Sequence, residues 1–203
     1  MDQLASFGPA ILSTVEKLVT KVEKNVSRIN RFNQYTAELE LACEIIYKLR
    51  ILGIREIELQ EIYFIRYRCD ELCDNISPSI HKFKKRWGFK MSEDLEMLED
   101  RVAALVSKVM SVSRQARNMY EGEAAALAMS DPDSIEATMV KNIPLFEETT
   151  DTKGIVGLQN MHFSLKVIEA CRRRQRALNA NQGEHASQET KEITTVPVIQ
   201  TAA

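Results

Sequence analysis

Between Met91 and Met119 the chain places Met91, Leu95, Leu98, Val102, Leu105, Val109, Val112, Ala116 and Met119 at alternating spacings of four and three. A helix puts such residues on one line, and this repeat is that of a heptad a/d seam. Glu99 and Arg101 fall at the flanking e and g positions. A stripe of this length has to be covered, so the rest of the chain, or a partner, has to supply further helices with apolar faces. The composition supports that demand. With 7 Gly and 5 Pro in 203 residues, 44% hydrophobic but only 6% aromatic, the chain is built like long helices. Collagen, disulfide scaffolds and wholly disordered chains are excluded, and a turn-rich all-β fold does not fit.

Other segments answer the demand. Leu4, Phe7, Ile11, Val15, Leu18, Val19 and Val22 recur at helical spacing, with Glu16, Lys17, Lys21, Glu23 and Lys24 on the remaining surface. Pro9 marks an early start or interruption. A second segment from Tyr35 to Leu52 carries Leu39, Ala42, Cys43, Ile46 and Leu49, and Gly53 stops it. A third begins at Glu56 and buries Leu59, Ile62, Ile65, Cys69, Leu72, Cys73 and Ile76, with Ser77-Pro78 bending or ending it. Gly88 is a break, and Ser92 with Asp94 starts the seam helix. Ser130 or Asp131 before Pro132 reads as the cap of a short helix ending before Asn142. Residues 143–157 read as a loop, and a last helix runs from Leu158 to Leu178 through Met161, Leu165, Ile168 and Cys171. The polar, unpatterned remainder reads as a disordered tail. The expectation is an all-α antiparallel bundle of four or five helices over 1–180, with a long central heptad-patterned helix, followed by a tail over 181–203.

The four cysteines, Cys43, Cys69, Cys73 and Cys171, are too few for a disulfide framework, and the start has no basic n-region. No window reaches the roughly 20 apolar residues that span a bilayer. A reducing, cytoplasmic compartment with free thiols follows from these features.

Candidate chemistry is sparse. His81, His162 and His185 belong to no HExxH, and no nucleophile elbow or Walker loop is present. Gly154-Ile-Val-Gly157 precedes a helix and could offer amides to an anion, although glycines at a helix entrance are common. Cys69 and Cys73 share a face at i, i+4. A zinc site would need two more ligands, and packing as small apolar groups is the simpler account. Glu56, Glu58 and Glu61 read as a solvated face. No catalytic residues, metal or cofactor are expected, and the chain reads as a non-enzyme.

Two basic clusters remain. The first holds Lys82, Lys84, Lys85, Arg86 and Lys90 interleaved with Phe83, Trp87 and Phe89. Such cations meet lipid phosphates while the aromatics favour the headgroup boundary, at about 1 kcal/mol per cation on an anionic leaflet. The same types hold RNA, or form a solvated helix end with the aromatics as plugs. The second is Arg172, Arg173, Arg174 and Arg176, only partly explained by a helix C-terminus. A net charge of −2 gives no global field toward nucleic acid, and no nucleic-acid partner is expected.

The stretch Tyr67-Arg-Cys-Asp-Glu-Leu-Cys-Asp74, then Lys82-Phe-Lys-Lys-Arg-Trp-Gly-Phe-Lys90, then Leu95, Leu98, Arg101 and Val102, resembles the HeLo-like N-terminal domains of fungal NOD-like (STAND) receptors. The resemblance covers roughly residues 1 to 128. Those domains are similar to the four-helix executioner bundle of the mixed-lineage kinase domain-like family. It implies a cell-death or signalling module that self-associates, adjoins a STAND receptor domain, and acts on anionic lipid when activated. The first helix (Leu4, Phe7, Ile11, Leu12, Val15, Leu18) would leave the bundle and insert. The chain departs from the pattern in Asp2, Ser13, Thr14, Glu16 and Lys17, which interrupt that helix, and no nucleotide-binding domain follows within these residues. The alternative expectation is a coiled-coil scaffold that offers the seam from Leu95 through Val112 to a partner helix, without membrane activity.

Overall fold

A computed structural model of the chain describes the backbone of residues 3–82, 88–147 and 154–193, and the side chains of 12–81, 91–143 and 154–182. The described residues form five helices and no strand: α1 (Gln3–Ile51), α2 (Glu56–Lys82), α3 (Gly88–Ser130), α4 (Ile135–Glu147) and α5 (Ile155–Ile193). The all-α bundle expected from the periodicity is what forms.

Several boundaries differ from expectation. The two segments read before Gly53 are one helix of 49 residues. Pro9 removes a single donor close to the helix start, and nothing between Lys24 and Tyr35 is a glycine or proline that would end the helix. Pro78 lies inside α2 rather than ending it. Pro78 and Asp74 are both exposed, so this turn of α2 is on the solvent side, where a missing backbone donor costs least. α3 begins at Gly88, ahead of Ser92. Ser134, not Ser130 or Asp131, caps α4, its Oγ accepting from the Ala137 amide at 3.1 Å. α4 runs through Pro144 to Glu147 and α5 starts at Ile155, so the expected loop is shorter at both ends. α5 continues to Ile193, and residues 194–203 lie outside the described residues.

Gly53 does end α1, in a left-handed conformation at φ 87°. Its amide donates to the Arg50 carbonyl and that of Ile54 to the Leu49 carbonyl, both at 3.0 Å, which is a Schellman closure. Ile54 and Leu49 are both buried, supplying the apolar contact that accompanies it.

Helix directions follow from cross-pairs. Arg31 pairs with Glu99, and the Leu52 carbonyl receives Tyr120, each pair 68 positions apart, so α1 and α3 are parallel and in constant register. Glu44 meets His162, Lys48 meets Glu169, and Leu52 meets Arg172, so α5 runs the same way. α2 and α4 run against them. α3 packs on all four other helices. Its seam residues Met91, Leu95, Leu98, Val102, Leu105 and Val109 are buried within the molecule.

Beyond Val109 the seam drifts. Val112 is only partly buried and Met119 is exposed, whereas Ser113, Ala116, Ala124 and Leu127 are buried and Tyr120 packs against them. Counted along the positions that are covered, the intervals from Met91 to Leu127 average 3.6 residues, the period of a straight helix. A strict heptad falls behind by about 20° per repeat, so after three repeats the inward position has moved on by one residue. That move puts Ser113 in the core, where its Oγ has no hydrogen-bond partner. Ser113→Ala removes this buried orphan and should raise stability by about 1 kcal/mol, read as a higher midpoint in thermal or urea unfolding.

Candidate functional site

α1 is held against α5 by a partly dry polar strip. Lys48 donates to Glu169 at 3.1 Å with both side chains largely covered, and Arg173 reaches the other oxygen of the same carboxylate. His162 lies 3.3 Å from Glu44. Burial first, then the Lys48 charge, hold the His162 pKa below its ordinary value near 6.5, while Lys166 adds to that and Glu44 and Glu169 oppose it. Glu44 is mostly exposed and therefore screened, so its pull loses.

At the entrance to α5, Gly154 adopts φ 75° and its carbonyl accepts the first helical bond, from the Leu158 amide at 3.1 Å. A methyl group there would sit 3.3 Å from Glu38 Oε1. Glu38 is buried and receives Gln34 Nε2 at 3.1 Å. A carboxylate beside a helix N-terminus is favoured by the macrodipole. The anion that the Gly154–Gly157 motif could attract is therefore supplied by the chain itself.

The arginine run is divided by its surroundings. Arg172 lies 3.9 Å over the Tyr120 ring, donates to the Leu52 carbonyl at 3.1 Å and pairs with Glu123 at 3.2 Å. Arg174 binds Asp131 and, at 2.8 Å, Glu136. These two lock α5 to α3 and to the α3–α4 turn. Arg173 and Arg176 are exposed. Sequence spacing could not separate the four, because the acids that claim two of them come from distant helices.

The thiols are free, and burial raises the pKa of each: Cys69 to about 12, Cys73 to about 11, and Cys43 and Cys171 in the same direction. Among the described residues no group of three or more His, Cys, Asp or Glu is arranged to hold a metal ion. The side chains of Lys82, Lys84, Lys85, Arg86, Trp87 and Lys90 lie outside the described residues, as do those of Leu4, Phe7 and Ile11.

What remains is the front half of α1. Among the described side chains, the first buried residue of that helix is Tyr35, one turn from Arg31, which pairs with Glu99 on α3. Hydrogen bonds from Tyr35 and Arg31 hold the Glu99 carboxylate below its usual range and fasten the helix at this level. Ahead of it, Leu12 (64% exposed), Val15, Leu18, Val19, Val22 (60%) and Val26 all face solvent. Lys17, Lys21 and Lys24, on the opposite side of the helix, are exposed as well. With α1 and α3 in register 68 apart, Gly88 at the start of α3 stands level with Thr20, so Leu12 to Val19 lie beyond the level at which α3 begins. The spacing of this stripe was legible in the sequence; that it is left uncovered was not. Among the described residues no helix is long and apolar enough to cross a membrane. No family model, curated protein or solved structure matches the chain.

Two outcomes test this geometry. Gly154→Ala forces an L side chain into the left-handed region against Glu38 and should cost about 1–2 kcal/mol, measured as a lower denaturant midpoint. For His162, the unfolded state binds its proton first, so stability is lost as pH falls from about 6.5 toward the lowered folded pKa and is retained above it. His162→Gln should flatten that part of the stability–pH curve.

Proposed function

We propose that the chain is a non-enzymatic helical-bundle module of the innate-immune signalling or cell-death type, cytoplasmic, which associates with itself and engages anionic membrane through the front of α1. The observation that carries the reading is the exposed apolar stripe from Leu12 to Val26 on a helix whose opposite face carries Lys17, Lys21, Lys24 and Arg28. Such a helix lies in the plane of the headgroup boundary with its apolar side down, and its cations, on the polar side, are drawn toward an anionic leaflet. Since this part of α1 already stands clear of the core, engagement needs no unfolding of the bundle. Lys82 at the end of α2 and Gly88 at the start of α3 belong to the same pole. The cations at 84–86 lie between them in sequence and, in this reading, add to the same surface. Arg172 and Arg174 have internal partners, so in this reading lipid recruitment does not use them. The resemblance to HeLo-like domains supports assignment to cell death over generic interaction.

The scaffold alternative needs the α3 seam to be available, and Leu95 to Val109 are buried inside the monomer. That removes its main support.

Co-sedimentation with vesicles of mixed neutral and anionic lipid tests the proposal. Binding should need anionic lipid, and reversing Lys17, Lys21 and Lys24 to Glu should weaken it about 100-fold or more, at about 1 kcal/mol lost per cation. Binding that survives both the triple reversal and Val15→Asp with Val19→Asp would take α1 out of the mechanism.

A further inference from the structure

Between Leu12 and Gln34 no side chain of α1 is buried, yet the backbone is helical throughout. This stretch is rich in Val, Ser, Thr and Asn, which hold a helix poorly by themselves. A helix of that kind takes its stability from packing of an apolar face. The face has a definite heptad repeat: Leu12, Val19, Val26 and Asn33 fall at a, and Val15, Val22 and Ile29 at d. In the same register Lys17, Lys24 and Arg31 fall at f, and Lys21 and Arg28 at c, away from the seam. The residues that α1 buries further on, Tyr35, Glu38, Ala42, Ile45 and Leu49, continue those c and f lines. Arg31, through which Glu99 of α3 holds α1, stands on them too. The body of the bundle therefore lies behind the helix, and the seam looks outward.

We infer that the fronts of α1 from separate copies of this chain pair through that seam as a parallel, in-register coiled coil. Charge placement selects a like copy, because the lysines at c and f stay on the outside and never meet. It also selects the direction. Between parallel strands g faces the next e, so Leu18 meets Glu23 and Asn25 meets Asn30, with no like charges opposed. Antiparallel strands with Leu12 beside Ile29 would set Glu16 against Glu23 twice and leave Asn33 past the end of the seam. In register, Asn33 meets its own counterpart, and a single Asn at a is a residue that fixes register. The next a position is Glu40, exposed, whose carboxylate would face itself, so pairing stops where the bundles begin. The same face is used on every copy, so the assembly closes, and β-branched residues at d as well as a favour three strands over two. The inference rests on the self-association in the proposed function and adds a control to it. Paired seams cover the stripe that lipid would take, so assembly and vesicles compete.

The test is sedimentation velocity on the full chain without lipid, with circular dichroism confirming that each form is folded. Wild type should rise with concentration and level off at two or three times the monomer mass. Val19→Asp with Val22→Asp, at a and d, should stay monomeric. Reversal of Lys17, Lys21 and Lys24 to Glu, at c and f, should keep the wild-type mass. Direction is read by cross-linking under oxidised glutathione, with wild type as the control for the four native cysteines. Leu12→Cys should cross-link to its own counterpart and Lys24→Cys should not. Antiparallel strands would hold the two Leu12 positions about 26 Å apart, 17 residues at ~1.5 Å each. Monomeric wild type, open-ended growth, a seam variant that still assembles, a lysine reversal that dissociates, or a Leu12→Cys variant without the cross-link each overturns the inference. Vesicle binding is measured separately. Its failure with assembly intact removes the membrane reading alone, and monomeric wild type that still binds vesicles removes this pairing alone.

Discussion

One carbonyl sets the register of the bundle. Leu52 closes α1, and its oxygen receives the Tyr120 hydroxyl at 2.9 Å and the Arg172 guanidinium at 3.1 Å, while that guanidinium lies over the Tyr120 ring. α1, α3 and α5 are tied at a single point, where the negative end of the α1 dipole meets a delocalised cation. The ion pairs further down, Lys48 with Glu169 and Arg31 with Glu99, keep the alignment that this node begins. Slipping α1 by one turn would undo all of them together. The overhang of α1 past the other helices is therefore a fixed length, set by where its far end is held.

Apolar periodicity was readable because burial on a helix repeats at a period that a sequence displays directly. It carried the helix count, the Gly53 stop and the covered face of α3 as far as Val109. It failed where the deciding contacts are remote. The inward turn from Val112 to Ser113 depends on whether α3 supercoils, and a run of residues compatible with both periods over a few turns does not say. The Arg172–Arg176 run looked like one basic cluster, yet Glu123, Asp131 and Glu136 take Arg172 and Arg174 out of it. Ser134 is not legible as the cap, because a proline commonly follows an N-cap directly, whereas Pro132 sits inside the turn. The joining of two segments into one α1 is hidden for the opposite reason: residues 25–34 contain no glycine or proline to stop a helix.

The candidate surface shows a similar division. The stripe and its lysines could be listed from the sequence, but a stripe of that kind is equally suited to a core. Part of its freedom follows from helix length: α3 begins at Gly88, level with Thr20, while α1 extends back to Gln3. The glycine motif before α5 is the converse case. A feature suited to an external anion has the buried Glu38 carboxylate beside it, close to the space that a side chain at Gly154 would enter.

The described residues form an odd number of helices, so α1 and α5 point the same way and lie with the front of α1 and the far end of α5 at opposite poles. α1 leads away below Tyr35, and α5 continues upward beyond Arg174 as far as Ile193. At ~1.5 Å per residue, Leu12 to Leu52 and then Arg172 to Ile193 add up to a standoff of about 90 Å. A surface that grips the leading end would thus hold the trailing end of α5 well outside the reach of headgroups and within the surrounding fluid.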